Sequence, residues 1–225
     1  MIPYRFSYLL TDAVFFFLWV ALYLWRKDIR KEMVVISGLF GFIAIAGESF
    51  MVNDWWSPQT ITNTTIGIED FLFGFTVGGI ASVVYEEVFQ KKLRKKTRHQ
   101  RKGKYHLCAP WLLPIVFSLG FFIFNLNTFI ATMAGLVSSV GLMLFLRKDL
   151  LIDAICSGAL LLITAFFAYT LVEFLTPGWV RAFWEFKNMP EFVWWNVPIE
   201  DIIWYPLAGA YGGILYEYWK ELAPV

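Results

Sequence analysis

Two short acidic motifs, repeated at a fixed distance, are the residues of this sequence best suited to chemistry. Ile68-Glu69-Asp70 is followed by Tyr85-Glu86, and Ile199-Glu200-Asp201 is followed by Tyr216-Glu217 at the same spacing, 131 residues later. Clustered carboxyl groups in an apolar setting repel one another and lose hydration, so some hold protons near neutral pH. One such group can donate a proton and another accept it, as general acid and base catalysis on an alkene requires. The predicted catalytic residues are Glu200, Asp201, Glu69 and Asp70.

Acidic and aromatic side chains near these motifs form a candidate substrate site. Aromatic faces attract cations, so an aromatic lining stabilises a carbocation while it excludes the water that would quench it. The predicted substrate-binding residues are Glu48, Glu173, Trp55, Trp56, Phe73, Trp195, Trp204 and Tyr205. The simpler alternative is that the acids only cap helices at an interface, and that the rings belong to ordinary aromatic belts.

The elements that position these residues must be membrane helices. The chain has 225 residues, of which 58% are hydrophobic and only 16% charged, which is too apolar for an ordinary soluble domain. Its net charge of +1 provides no global field to recruit nucleic acid. Runs of about 20 apolar residues predict an all-α polytopic membrane protein with about seven transmembrane helices. They lie near 6–25, 33–52, 67–89, 108–125, 128–146, 151–174 and 197–219.

The basic residues predict the orientation of these helices. Lys and Arg cluster from Arg26 to Lys31, from Lys91 to Lys104, and at Arg147-Lys148. Seven helices place all three clusters on one side of the bilayer, so the positive-inside rule puts the N-terminus outside and the C-terminus in the cytoplasm. The pattern fits an integral protein of a prokaryotic plasma membrane. The long basic stretch is what this topology requires, and we assign it no nucleic-acid partner.

The repetition of the motifs extends upstream and indicates two related halves. Arg26-Lys27-Asp28 corresponds to Arg147-Lys148-Asp149, and Ser37-Gly38 to Ser157-Gly158. A linker helix that crosses the membrane once lets the second half repeat the orientation of the first, which gives a parallel 3+1+3 arrangement. The predicted division is a first three-helix repeat at 1–90, a basic cytoplasmic loop and linker helix at 91–127, and a second three-helix repeat at 128–225.

Other familiar chemistries have no counterpart in the sequence. No GxGxxG motif or P-loop appears, and Cys108 and Cys156 lack metal-ligand spacing. His99 and His106 lie in or beside the basic stretch, far from the acids, so we predict no metal site. No lysine precedes Lys220 in the seventh run, which argues against retinal held as a Schiff base. We therefore predict no cofactor.

The two motifs, each at the start of an apolar aromatic helix after a Trp-rich loop, resemble the lycopene cyclase domain family. This integral membrane family occurs as paired small bacterial subunits, fused archaeal chains and the cyclase domain of fungal bifunctional enzymes. Its two three-helix halves each carry a Pro-x-Glu-Glu or Pro-x-Glu-Asp motif, and the resemblance covers most of the chain. The first motif has Gly67 where the second has Pro198, so the family pattern is intact only in the second half.

The resemblance implies that the protein is a carotenoid (lycopene-type) cyclase. Such an enzyme closes the end group of a linear carotene into a ring, as an isomerase or intramolecular lyase, with no net redox change and no cofactor. The implied steps are proton addition to the terminal alkene, ring closure onto the neighbouring double bond, and loss of a ring proton. Glu200 is then the acid, Asp201 tunes it or accepts the proton, and Glu69 with Asp70 plays the paired role.

Two other functions fit the same topology. A transporter like the SWEET proteins also has parallel three-helix repeats and a linker helix, but it needs a polar midplane site. A non-catalytic membrane module could bind a carotenoid or isoprenoid and would tolerate neutralised motif acids. The bilayer is an expected partner for every one of these functions. A cyclase or a binding module would also bind a hydrophobic isoprenoid. The sequence is compatible with a monomer and with a homo-oligomer.

Overall fold

The fold is known from a computed structural model that describes residues 2–91, 93–95, 108–187 and 189–224. Within these residues the chain is mostly α-helical, as predicted. The greater part of the predicted basic loop, together with His99 and His106, lies outside the described residues.

The first half contains four helical segments. They are α1 (Ser7–Trp25), α2 (Arg30–Met51), α3 (Ile68–Ala81) and α4 (Val84–Val88). The predicted run 67–89 is therefore not one continuous helix. It is interrupted at Val83, where the backbone leaves the helical region (φ −134°, ψ −8°) after the Ser82 hydroxyl has bonded back to the Gly79 carbonyl.

The second half begins with a short apolar helix. Its helices are α5 (Leu112–Ser118), α6 (Thr128–Leu146), α7 (Leu151–Leu175), α8 (Trp179–Phe183) and α9 (Ile199–Lys220). A π-helical turn, Leu119–Ile123, extends α5. Helix α6 begins where the Asn127 side chain accepts a hydrogen bond from the Ile130 N–H at 2.8 Å, a standard N-cap.

Two short antiparallel strand pairs complete the described structure. Strand β1 (Leu93–Lys95) pairs with β4 (Leu222–Pro224), which joins the ends of the two halves. Strands β2 (Val193–Trp194) and β3 (Val197–Pro198) form a hairpin directly before α9. These pairs are the departure from the predicted all-α fold, and they lie outside the long helices.

Four helical segments of the described residues are long and apolar enough to cross a membrane, where the sequence predicts about seven spans. They are Tyr4–Trp25, Arg30–Met51, Thr128–Leu146 and Lys148–Leu175. Helix α3 is too short because of the break after it, and the α5 region is a shorter apolar helix. Helix α9 is long enough but carries acidic, glycine and aromatic residues that lower its mean hydropathy. Mostly helical structure with such spans identifies a membrane protein.

Glycines set the closest helix crossings. A Cβ at Gly74 of α3 would collide with the Phe40 carbonyl of α2, and one at Gly158 of α7 would collide with the Pro206 carbonyl of α9. Small residues allow such close backbone approach between membrane helices. Helices α3 and α9 also meet, where Gly212 packs against Ala81. The two halves are therefore in contact along these two helices.

One end of the bundle is fastened by Arg26, which follows α1. Its guanidinium donates hydrogen bonds to the backbone carbonyls of Glu86 and Lys91, at 3.2 and 3.0 Å, and pairs with Asp28 at 2.7 Å. The hydrogen bonds that Arg26 donates to the Asp28 carboxylate raise the pKa of this already basic side chain. We call this end, marked by Arg26 and Arg147, the arginine end.

Arg147, which follows α6, makes the corresponding contacts in the second half. It donates to the backbone carbonyls of Glu217 and Leu222 and pairs with Asp149 at 2.8 Å. Both arginines therefore bind main-chain carbonyls in and just after the last helix of their own half, and each pairs with the aspartate two residues further along the chain. The opposite end, where α3 and α9 begin, is called the motif end.

Candidate functional site

A cavity of about 410 Å³ lies between the two halves and extends inward from the motif end. Side chains of α1, α2, α3, α5, α6, α7 and α9 and of the loops line it, and most of them are aliphatic or aromatic. This volume falls in the usual range for small-molecule sites. Its wall contains three carboxyl groups, those of Glu48, Asp70 and Asp201. No Lys, Arg or His among the described residues lines it.

Asp70 is held at the start of α3 by two hydrogen bonds. The Tyr8 hydroxyl of α1 donates to Oδ1 at 2.9 Å, and the Gly67 N–H donates to Oδ2 at 2.7 Å. The position at a helix N-terminus is favourable for a carboxylate because of the helix dipole. Nearby, Glu48 of α2 accepts a hydrogen bond from the Trp56 indole at 3.2 Å. Asp70 is only 1% exposed, so its geometry is fixed by the protein rather than by water.

Asp201 lies in the first turn of α9, as Asp70 lies in the first turn of α3. The Tyr169 hydroxyl of α7 donates to its Oδ2, and both side chains are buried. The ring of Tyr205, one turn further along α9, packs edge-on against Tyr169 with centroids 6.1 Å apart. Each half thus supplies one buried aspartate bonded to a tyrosine, and the two tyrosines lie on α1 and α7.

Aromatic rings surround these two carboxyl groups. Trp56 packs edge-on against Tyr8 at 4.8 Å between centroids and lies 5.3 Å from Trp184. Phe73 and Trp204 are stacked at 6.0 Å. Such a wall offers ring faces to a developing positive charge and leaves little room for water.

The loops at the motif end bring the halves together above the cavity. The Ser57 N–H donates to the Phe183 carbonyl at 2.8 Å, and the Glu185 N–H donates to the Trp55 carbonyl at 3.0 Å. The Ser57 hydroxyl bonds the Glu185 carboxylate at 2.8 Å, and this contact together with Lys187 holds the pKa of Glu185 below its usual value. Because Trp55 lines the cavity, these loops form part of its wall.

The residues that the sequence predicts for the site divide into two groups. Those in the cavity wall are Asp70, Asp201, Glu48, Trp55, Trp56, Phe73 and Trp204. Those outside it are Glu69, Glu200, Glu173, Trp195 and Tyr205. Adjacent helical residues point about 100° apart, so only one acid of each Glu-Asp motif can face the cavity. In both halves that residue is the aspartate.

Several predicted residues instead make local structural contacts. Glu69 accepts a hydrogen bond from the Ile61 N–H at 2.6 Å, and Glu173 accepts one from the Gly178 N–H at 2.7 Å. Trp195 forms the turn of the β2–β3 hairpin and is 72% exposed. Glu69 and Glu173 thus fit the simpler interpretation, in which an acid fixes the backbone near a helix end.

Asp12 and the tyrosines Tyr8 and Tyr169 are the features of the site that sequence reasoning missed. Asp12 of α1 is 1% exposed, neither of its carboxyl oxygens has a hydrogen-bond partner among the described residues, and it lies within electrostatic reach of Asp70. Its signal was available, since an acid inside an apolar run is a functional candidate by default. The tyrosines carried no such signal, because tyrosine is common in membrane helices near the interface.

One family of known proteins matches most of the chain. The family model described as lycopene cyclase matches residues 5–88 and 126–219, which include both acidic motifs, Tyr8 and Tyr169. Neither a curated protein nor a solved structure matches the chain. The matched segments cover well over half of the sequence and leave out only the ends, the basic stretch and the short helix α5. The chain therefore belongs to the lycopene cyclase family.

Proposed function

We propose that this protein is a carotenoid (lycopene-type) cyclase, which closes the end group of a linear carotene into a ring by acid–base chemistry inside the membrane. The observation that carries the proposal is that two buried aspartates, each bonded to a tyrosine hydroxyl, line one aromatic cavity. Membership of the lycopene cyclase family supports a carotene as the substrate. The apolar wall also suits an isoprenoid far better than a sugar.

The proposed reaction adds one proton to the substrate and later removes another. A protonated aspartate adds its proton to the terminal double bond and leaves a tertiary cation. The neighbouring double bond attacks this cation, which forms the ring bond and moves the positive charge into the ring. A carboxylate then removes a ring proton, so a new double bond forms and the product is an isomer of the substrate. No oxidant, reductant or flavin is consumed.

We assign the proton donor to Asp201 and the acceptor to Asp70. Asp201 lies in the cavity wall and belongs to the motif in which the family's proline, Pro198, is present. Glu200, the acid that the resemblance favours, follows the same proline but does not line the cavity. Asp70 is oriented from two sides by Tyr8 and Gly67, which suits a base that must face a ring proton.

Aromatic residues supply the remaining part of the proposed mechanism. The faces of Trp56, Phe73 and Trp204 stabilise the cationic intermediates electrostatically. The buried wall and the joined loops above it keep out water that would add to the cation and give an alcohol. Glu48, held by Trp56, adds a further carboxyl group to the cavity wall.

We further propose that the protein crosses the membrane seven times as a parallel 3+1+3 repeat, with the N-terminus outside. The matching contacts of Arg26 and Arg147 support a repeat, as do the matching positions of Asp70 and Asp201. Four apolar helices satisfy the length and hydropathy of a span by themselves. In this proposal α3 and α9 cross within the bundle, where their acids and glycines face protein rather than lipid.

Pigment analysis of a lycopene-accumulating bacterium tests the function. Expression of the unaltered chain should give monocyclic or bicyclic carotenes, and Asp201→Asn should lower their formation by about a hundredfold or more. Glu200→Gln is the matched variant, and it should retain more activity than Asp201→Asn because Glu200 is outside the cavity wall. Unchanged lycopene with the unaltered protein present in the membrane would contradict the proposal.

A further inference from the structure

A second set of buried acids lies at the arginine end, away from the proposed catalytic cavity. Glu86 of α4, Asp153 of α7 and Glu217 of α9 each turn a carboxylate oxygen toward the others, and these oxygens all lie within 4.8 Å of one another. The three side chains are at most 1% exposed. None of them lines the cavity at the motif end.

A fourth carboxyl group, that of Glu32 on α2, points into the same cluster. It is 2% exposed and faces Glu217, with Glu86 also within electrostatic reach. Among the described residues no N–H or hydroxyl group donates to either oxygen of Glu32, Glu86 or Glu217. Asp153 receives one hydrogen bond, from the Ser157 hydroxyl at 3.0 Å, and its second oxygen receives none.

In the part of the chain that the structure describes, no basic side chain forms an ion pair with this cluster. Arg26 is nearby, but its guanidinium is engaged by Asp28, Glu87 and main-chain carbonyls. Buried carboxylates without counter-charges are strongly unfavourable, so a cation or bound protons must compensate them.

The cluster is built equally by the two halves. Glu86 and Glu217 are the repeat-related acids of the Tyr-Glu pairs. Glu32 lies six residues after Arg26, and Asp153 lies six residues after Arg147, so these two acids also correspond between the halves. Two acids from each half therefore converge on one point between the halves, an arrangement that a single shared ligand explains better than four independent structural roles.

We propose that Glu32, Glu86, Asp153 and Glu217 bind one divalent metal cation that prefers oxygen ligands, and that this ion ties the two halves together. Calcium binds carboxylate oxygens at about 2.3–2.6 Å, so oxygens on opposite sides of the ion are about 4.6–5.2 Å apart, and magnesium requires about 4 Å. The spacing of the Glu86, Asp153 and Glu217 oxygens accommodates such an ion with small adjustments, and Glu32 faces Glu217 beside them. The sequence prediction of no metal site relied on histidine and cysteine patterns. Such patterns cannot reveal a site made only of carboxylates from four helices.

Metal binding to the purified, detergent-solubilised chain tests this site. After treatment with a chelator, Mn²⁺, Mg²⁺ and Ca²⁺ are added separately, and electron paramagnetic resonance counts bound Mn²⁺ while the apparent Tm is recorded. We expect one tightly bound Mn²⁺ per chain, competition by Mg²⁺ or Ca²⁺, and a saturable rise in Tm of several degrees. Absence of both effects in the unaltered protein would show that protons, not a metal, compensate the cluster.

Two variants locate the ion and a third serves as control. Glu217→Gln should abolish the bound Mn²⁺ and the metal-dependent rise in Tm, and Asp153→Asn should do the same if Glu217→Gln does not accumulate in the membrane. Glu48→Gln, which neutralises a buried acid at the motif end, should retain both. Retained Mn²⁺ in Glu217→Gln and Asp153→Asn would refute the site. These measurements do not depend on carotene turnover, so they are independent of the proposed cyclase activity.

Discussion

At the scale of single residues, the site consists of carboxyl groups whose orientation is set by tyrosine hydroxyls. A free aspartate in a hydrophobic cavity has several rotamers, whereas a hydrogen bond from a buried phenol selects one. Tyr8 performs this function for Asp70, and Tyr169 performs it for Asp201. We therefore regard both tyrosines as positioning residues for the proton transfers of the proposed reaction.

Tyr169→Phe should reduce ring formation without unfolding the protein. The variant keeps the aromatic packing and removes only the hydrogen bond to the protonated Asp201, which between neutral groups is worth about 0.5–1.5 kcal/mol, or about twofold to tenfold in rate. Turnover in isolated membranes should fall accordingly, with an altered pH profile and an unchanged apparent Tm. Tyr4→Phe is the matched control, because the Tyr4 hydroxyl bonds only the exposed Pro177 carbonyl. Equal activity of the two variants would contradict the positioning role.

At the scale of helices, close crossings position the acids. Helices α2 and α3 form one tight pair, and α7 and α9 form the other, with glycines at both contacts. Since Asp201 begins α9 and Tyr169 lies on α7, any displacement of α9 against α7 also displaces the donor from its positioning residue. The small residues thus contribute to site geometry as well as to packing.

Gly158→Ala should destabilise the protein, whereas Gly38→Ala should not. Both glycines follow a serine in the sequence, but a Cβ at Gly158 meets the Pro206 backbone while a Cβ at Gly38 meets nothing within 4 Å. Overpacking costs about 1–3 kcal/mol. The higher helix propensity of Ala offsets at most about 1 kcal/mol of this destabilisation. Thermal unfolding in detergent should show a clear loss of Tm for Gly158→Ala alone, and equal values for both variants would contradict this reading of the crossing.

Hydropathy was sufficient to locate the helices but not to orient their side chains. The predicted starts at 67 and 197 agree closely with the observed starts of α3 and α9, because a polar loop followed by an apolar run is a strong signal. The rotation of each helix about its axis decides which acid of a Glu-Asp pair faces the cavity. Hydropathy does not define this rotation in a helix that is apolar on all sides. The break at Val83 and the cluster at the arginine end depend on tertiary contacts and could not be predicted.

At the scale of the whole molecule, two acidic sites lie at opposite ends of the same interface between halves. The motif end presents Asp70 and Asp201 to a cavity, and the arginine end buries Glu32, Glu86, Asp153 and Glu217 outside that cavity. Loop contacts join the halves above the cavity, and β1 pairs with β4 at the other end. The interface is therefore fastened at both ends, and the middle is left for an apolar ligand.

Cysteine labelling in spheroplasts tests the proposed orientation of these two ends. Cys108 is exposed near the arginine end, so a membrane-impermeant maleimide should label it only after lysis in a Cys156→Ser background. Lys187→Cys, in a chain without native cysteines, places a thiol on an exposed loop at the motif end and should be labelled in intact spheroplasts. The opposite pattern would show that the N-terminus lies in the cytoplasm.

The placement of both aspartates on one cavity has a kinetic consequence for a substrate with two ends. Two separate chambers would let both termini of a carotene react independently, whereas a shared chamber of about 410 Å³ admits one terminus at a time. A doubly cyclised product then requires the half-converted molecule to leave, reverse in the lipid and enter again. Processivity is consequently set by competition between re-entry and diffusion away, and the ratio of products should depend on the abundance of the enzyme relative to its substrate in the membrane.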